Sequence, residues 1–376
     1  MNICKAMSRK LTCCFLFVLL SAQILKSQEL NHLFKQGESD YKCFRIPVIV
    51  STNNGTLLAF AEARKNGCSD TGDIDLVLKR SSDGGKTWGG LEVVWNDAEN
   101  TCGNPAPVVD RNTGNIILLS TWNLGTDHEK DIIALKSGDT RRVFVLRSTD
   151  DGRTWSTARE ITKDTKKDDW TWYATGPANG IQIQKGKYKG RLVIPCDHIE
   201  AASKKYYSHA IYSDDGGETW ELGNSTPQDQ VNECTVAELS GGKLMLNMRN
   251  YNETRLRQVS VSKDGGHSWS DLKGDPALIE PVCQGSLLNY KQAGKKALAF
   301  SNPASKEKRV NMTVRLSVDD GKTWKYSKVL YEGPSAYSSL VVLPNGNLAC
   351  LFEAGIKNPY EGIVFREIPL SEIKRK

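Results

Sequence analysis

The sequence predicts an all-β chain, a six-bladed β-propeller of four-stranded antiparallel sheets, and three observations predict it. The phrase S-x-D-x-G-x-[TS]-W occurs five times, starting at Ser81, Ser148, Ser213, Ser262 and Ser317. The starts lie 67, 65, 49 and 55 residues apart, and self-similarity of this kind marks an array of similar supersecondary units. Short apolar or alternating runs recur between turn clusters at 46–50, 56–61, 74–80, 115–121, 142–147, 191–195, 243–249, 256–262, 297–301 and 340–351, as strands demand. No long segment of 3.6-residue period competes with them, so helices are expected to be few.

Each repeated phrase directly follows such a run and has a physical reading as a turn. The Ser and Asp side chains accept or donate hydrogen bonds to nearby backbone, Gly supplies positive φ, and the Trp packs beneath the turn. Stacked sheets of about four strands, repeated every 40–65 residues, suggest a propeller. Five such turns plus the phrase-free tail and the N-terminal strands fit six blades. The segment 163–207 is the longest gap in the strand pattern and is expected to carry loops over one face. A chain of 376 residues whose repeats span most of its length is read as one large domain.

Residues 1–28 read as a secretory signal, leaving 29–376 as the propeller domain. Lys5, Arg9 and Lys10 precede an apolar run from Leu11 to Ala22 that is too short to span a bilayer comfortably. No other stretch is apolar enough to cross a membrane, and export to the outside of the cytoplasm follows. The leader holds four basic residues and no acid, so its removal takes the formal charge from +6 to +2. That value, with no basic stripe interleaved by aromatics, speaks against nucleic acid as a partner.

Ten cysteines include Cys4, Cys13 and Cys14 in the leader; the other seven are Cys43, Cys68, Cys102, Cys196, Cys234, Cys283 and Cys350. An odd number leaves at least one unpaired. Cys68–Cys102 is a plausible bridge, with buried free thiols the equal alternative. No C-x-x-C and no His spacing suits a metal, so no cofactor is expected.

The five turns, preceded by Phe44-Arg45-Ile46-Pro47, resemble the sialidase (neuraminidase) superfamily. There the repeats are called Asp boxes, and Phe/Tyr-Arg-Ile-Pro marks the first of three arginines. The resemblance covers residues 44–365. It implies a secreted, monomeric retaining exo-α-sialidase acting on terminal α-linked sialic acids of glycoproteins, glycolipids or oligosaccharides. The alternatives are an inactive propeller lectin that binds sialic acid, or a trans-sialidase.

The substrate carries a carboxylate on its anomeric carbon, and a planar guanidinium binds a carboxylate bidentately. The resemblance implies Arg45, Arg249 (in Asn-Met-Arg-Asn) and Arg315 (in Thr-Val-Arg-Leu-Ser) as that cluster. It also implies Arg64, Asn104 and Gln284 as further substrate contacts. A carboxylate nucleophile would meet an anomeric centre already bearing negative charge, whereas a neutral phenol avoids that repulsion. Tyr337, in Ser-Ala-Tyr-Ser, matches the family nucleophile and Glu233, in Val-Asn-Glu-Cys-Thr, its base. The acid/base is expected in the turn 67–75, at Asp70, with Asp73 as the fallback. Trp170, Trp172 and Tyr173 either wall the substrate's acyl or glycerol group or simply pack.

Overall fold

A computed structural model of the chain describes residues 30–375 apart from Ala293. The expected signal segment lies outside the described residues. The rest is built almost entirely from antiparallel strands, and the two α-helices described, Glu129–Ile133 and Thr162–Thr165, are each about one turn long.

By their pairing the strands fall into successive groups. The first comprises Cys43–Ser51, Leu57–Arg64, Ile74–Ser81 and Glu92–Trp95. The second comprises Thr101–Val109, Ile116–Asn123, Arg142–Ser148 and Arg159–Glu160. Trp170–Thr175, Leu192–Glu200, Tyr206–Ser213 and Glu221–Leu222 make the third, and Val231–Glu238, Leu244–Asn250, Leu256–Ser262 and Lys273–Ile279 the fourth. The fifth contains Ser286–Gln292, Lys295–Pro303, Val310–Ser317 and the first half of Tyr326–Val342. The second half of that long strand opens the sixth, followed by Leu348–Ala354, Gly362–Ile368 and the N-terminal His32–Lys35.

Strand alternation explains how the groups stack. Leu58 and Phe60 pack with Ile116 and Leu118 of the second group, whereas Leu57 and Ala59 on the opposite face pack with Leu351 and Ile363 of the sixth. The same switch occurs in the third group, where Leu192 and Ile194 face Ile117 and Leu119 while Val193 faces Val236 and Leu246. Each such side chain is fully buried, a contribution of roughly 1.5–3 kcal/mol for each Val, Leu, Ile or Phe among them. Continuous apolar runs therefore mark strands covered on both faces.

Every repeated phrase forms the turn from the third strand of its group to the fourth. In the first, Gly85 N donates to Ser81 Oγ (2.9 Å), while Lys86 N, Thr87 N and Thr87 Oγ1 all donate to Asp83 (3.0, 2.9 and 2.6 Å). The hydroxyl-to-Asp bond recurs at Thr154, Thr219, Ser268 and Thr323. The sixth group lacks the turn because its outer strand comes from the other end of the chain.

Two strand expectations change. The run 340–351 is two strands, split by a turn in which Leu343 N donates to Asn347 O (2.9 Å), a break supplied by Pro344, Asn345 and Gly346. The gap in the strand pattern at 163–207 is partly filled, since it holds Trp170–Thr175 and the whole of Leu192–Glu200. The bridge also differs: Cys68 pairs with Cys43, and Cys102 is a buried free thiol with Cys196, Cys234, Cys283 and Cys350. Cys43 sits beside Arg64 across its strand pair, so the loop after Arg64 returns to it and not to the second group.

Candidate active site

The first strands of the groups run side by side, and five of the six carry a register shift near the same end. The shifts fall at Arg45/Val48, Gly103/Ala106, Trp170/Tyr173, Val231/Cys234 and Ser335/Ser338. Bulges re-aim side chains. Here they turn Arg45, Asn104, Trp172, Glu233 and Tyr337 into one cavity of about 200 Å³. Ile46 and Asn104 hold positive φ (58° and 52°) at these points, strained values stored beside the site.

Tyr337 and Glu233 meet across this cavity. The phenol of Tyr337 donates to Glu233 Oε1 at 2.5 Å, and Arg249 Nη1 donates to Glu233 Oε2 (2.7 Å) and Tyr337 Oη (3.1 Å). Burial first, and then the Glu233 charge, push the Tyr337 phenol well above its usual range, against Arg249 and Arg309. The proton therefore rests on Tyr337 with an acceptor already in contact.

Arg45 is held from behind. Its Nε donates to Glu353 Oε1 (2.6 Å), and the same carboxylate accepts Ile46 N (3.0 Å) and Tyr337 N (3.1 Å). Glu353 is fully buried. One side chain thus fixes the first arginine and the tyrosine backbone together. Burial alone would lower the Arg45 guanidinium, but Glu353, Tyr337 and Asp70 raise it instead. Its face lies over the Tyr360 ring at 4.1 Å.

Arg309, and not the expected Arg315, lines the cavity together with Arg45 and Arg249. It lies 5.7 Å from the Tyr337 ring centroid and donates to Tyr360 Oη (2.9 Å) and Val282 O (3.0 Å). Arg315 is absent from the cavity lining and donates to Asn302 Oδ1 (3.0 Å), with burial bringing its guanidinium down to about 10. Strand direction is the reason. The cavity lies where third strands begin and the repeated turns lie where they end, so an arginine next to a turn is at the far end.

Gln284 also falls outside the lining. It donates to Pro177 O (2.9 Å) and Ser338 O (3.0 Å) and accepts from Ser338 N (2.9 Å), so its amide ties inner strands together. Arg64 lines the cavity with its N–H groups engaged by Glu62 (2.5 Å), by the carbonyls of Cys68 and Ser69, and by Asp70 Oδ1 (2.7 Å). It orders the loop that carries Asp70. The Cys43–Cys68 bridge pins the same loop two residues earlier.

Asp70 stands over the cavity with its side chain 67% exposed. Desolvation works to raise its carboxyl, but Arg64 and Arg45 hold it below the usual range. Asp73, the fallback, is paired with Lys65 (3.3 Å) and does not line the cavity. Among the expected aromatics only Trp172 faces the cavity. Trp170 stacks on His198 (3.4 Å between centroids) in the core, and Tyr173 is buried beside His209.

Sequence reasoning missed several lining groups. Arg141 stacks over Trp172 at 4.0 Å, and burial brings its guanidinium down to about 10. Glu62 accepts Asn104 N (2.8 Å); Asp197, Glu129, Asn232 and Tyr251 complete the far wall. Their signal was positional, since Arg141 directly precedes a third strand as Arg309 does. No group of three or more His, Cys, Asp or Glu suited to a metal occurs among the described residues.

A tyrosine in contact with a carboxylate, faced by three guanidinium groups at the mouth of stacked antiparallel sheets, defines a propeller with an arginine-lined cavity. Residues 55–350 match the BNR repeat-like domain family. A sialidase from Bacteroides fragilis (strain YCH46) is 33% identical over 90% of this chain and 64% of its own length. One from Micromonospora viridifaciens is 34% identical over 85% and 51%. Among solved structures, the Hadza microbial sialidase Hz136 superposes with a TM-score of 0.83 at 32% identity, covering 91% of this chain and 69% of that one. The chain belongs to the sialidase family. It spans between about half and two thirds of the length of the two bacterial relatives.

Proposed function

We propose that this protein is an exo-α-sialidase that hydrolyses terminal α-linked sialic acids with retention of configuration. The observation that carries the reading is the 2.5 Å Tyr337–Glu233 contact inside the cluster of Arg45, Arg249 and Arg309. The arginines hold the substrate carboxylate, which fixes the adjacent anomeric carbon over Tyr337. Tyr337 Oη attacks that carbon as its proton passes to Glu233. The glycosidic C–O bond breaks, and Asp70 gives its proton to the departing oxygen. Water, deprotonated by Asp70, then attacks the tyrosyl-linked carbon; the phenol leaves and recovers its proton from Glu233.

Against desolvation, Arg64, Arg45 and Arg141 hold the Asp70 carboxyl of the free site below the usual range, so the acid step requires substrate to raise it. The substrate carboxylate meets the charge of Arg45, one of the three arginines holding Asp70 low, and so raises its proton affinity. The same reading takes sialylated glycans as partners, the strand groups as six blades, and residues 1–28 as an export signal ahead of a monomeric domain.

Release of 4-methylumbelliferone from its sialic acid conjugate tests the proposal. Wild-type turnover that falls by more than about 10³-fold in Tyr337→Phe supports both hydrolysis and nucleophile. Saturable binding of sialic acid without turnover would instead make the protein a lectin.

A further inference from the structure

The inner strands frame a second cavity at their other end, with a volume of about 970 Å³. Glu233 and Glu238 share the strand Val231–Glu238, yet the first lines the active-site cavity and the second lines this one, roughly 16 Å further along. Glu238 is 4% exposed and firmly held. Its N donates to Asn289 Oδ1 (2.8 Å), the Asn289 amide donates back to Glu238 O (2.7 Å), and Glu238 Oε2 accepts Gln184 N (3.0 Å). Its Oε1 is buried with no hydrogen-bond partner among the described residues, an omission that folded chains rarely leave. Four cations, Arg111, Lys185, Lys291 and Lys296, line the same cavity against this one acid. Among the described residues only Lys296 of the four comes within 4 Å of an acid, Glu238 at 3.7 Å. Arg111 donates to the neutral amide of Asn53 (3.1 Å), and Lys185 and Lys291 are exposed.

We propose that this second cavity binds a small hydroxylated anion, a sugar of one or two units that carries an acid group. The orphaned oxygen of Glu238 needs a donor, and a ligand can bring an ammonium, an N–H or an O–H. Four lining cations oppose an ammonium, and a single acid cannot hold a metal ion. The surplus of positive charge calls for an anion, so donor and negative charge belong to one molecule, as they do in an acidic sugar. Burial lowers the Lys296 amine and Lys185 adds to this, against Glu238 and Asp320; an anion beside it relieves that penalty. Burial likewise lowers the Arg111 guanidinium. Val50, Val108, Ile181, Leu287 and Val341 supply apolar walls for the C–H faces of a ring, and the volume suits a small molecule. The acid group has two sources, a carboxylate on the sugar or a sulfate ester. Nothing in this depends on the chemistry at Tyr337.

Calorimetric titration with glucuronate, glucose 6-sulfate, glucose and hexanoate tests the proposal. Each probe is run on wild type, on the double variant Lys185→Gln/Lys291→Gln, on Glu238→Gln and on Arg309→Lys. We expect at least one of the two acidic sugars to bind wild type with a Kd of about 1 mM or tighter. The double variant should weaken that binding by about fivefold or more, while releasing 4-methylumbelliferone at the wild-type rate. Glu238→Gln should also weaken it, and Arg309→Lys should leave it unchanged, because Arg309 lies in the other cavity. Tighter binding of glucuronate assigns a carboxylate sugar, and tighter binding of glucose 6-sulfate assigns a sulfated one. Glucose binding as well as the acidic sugars would overturn the anion, and hexanoate doing so would overturn the hydroxyl. Binding lost in Arg309→Lys but kept in the double variant belongs to the active-site cavity and would sink the second site. So would the absence of binding by either acidic sugar.

Discussion

Glu353 shows how much one buried side chain can carry, because it holds Arg45 and the backbone of Ile46 and Tyr337 at once. Removing one partner of a buried ion pair typically costs about 3–5 kcal/mol. Glu353→Ala should lower stability by that order in urea unfolding and abolish turnover. The arginine reassignment is as testable. Arg309→Lys should raise KM by roughly 10–100-fold through loss of the planar fork, whereas Arg315→Lys should lower the melting temperature and leave KM near wild type. Asp70→Asn should slow natural glycosides by on the order of 10²–10⁴-fold and the methylumbelliferyl conjugate less, since its leaving group needs less proton help. Sequence made Arg45, Arg249, Glu233 and Tyr337 visible through their local phrases. Arg309, Arg141 and Asp197 have no such phrase, and their place depends on which end of a strand reaches the cavity.

At the scale of the element, the repeated turns were legible because their hydrogen bonds are local: Ser and Asp accept backbone N–H groups within four residues, and the Thr hydroxyl donates to the same Asp. Register shifts in the inner strands were not legible, since they arise where neighbouring strands compete for one central space. The turns also predict a pH response. Slight burial raises the carboxyl of Asp215, but the Thr219 hydroxyl and N–H and the Ser213 hydroxyl bring it down to about 2. Its unfolded counterpart sits near 3.9. The native state therefore binds fewer protons in this interval, so the stabilisation is present above about pH 4 and is lost as pH falls towards 2. Urea midpoints measured across that interval should fall more steeply for wild type than for Asp215→Asn.

For the molecule as a whole, apolar runs told of strands covered on both faces, and the order of groups followed from sequence order. The partner of the N-terminal strand did not, because His32–Lys35 pairs with Gly362–Ile368 from the opposite end. Phe34 is fully buried at this seam, in a cluster with Phe44, Leu351 and Ile363. Phe34→Ala should cost about 3–5 kcal/mol, read from the shift of the denaturation midpoint. Loss of residues up to Lys35 should expose the edge of Gly362–Ile368 and promote aggregation.

The same seam sets a schedule for the chain as it is made. A ribosome delivers His32–Lys35 long before its partner Gly362–Ile368, so the earlier strand must wait with an unpaired edge. Local groups can form as they emerge, but contacts of such long sequence separation come late and slowly. Tyr337 and Glu353 are translated shortly before that later strand. Tyr337 and the Glu353 clamp behind it are thus completed in the same interval as this closure.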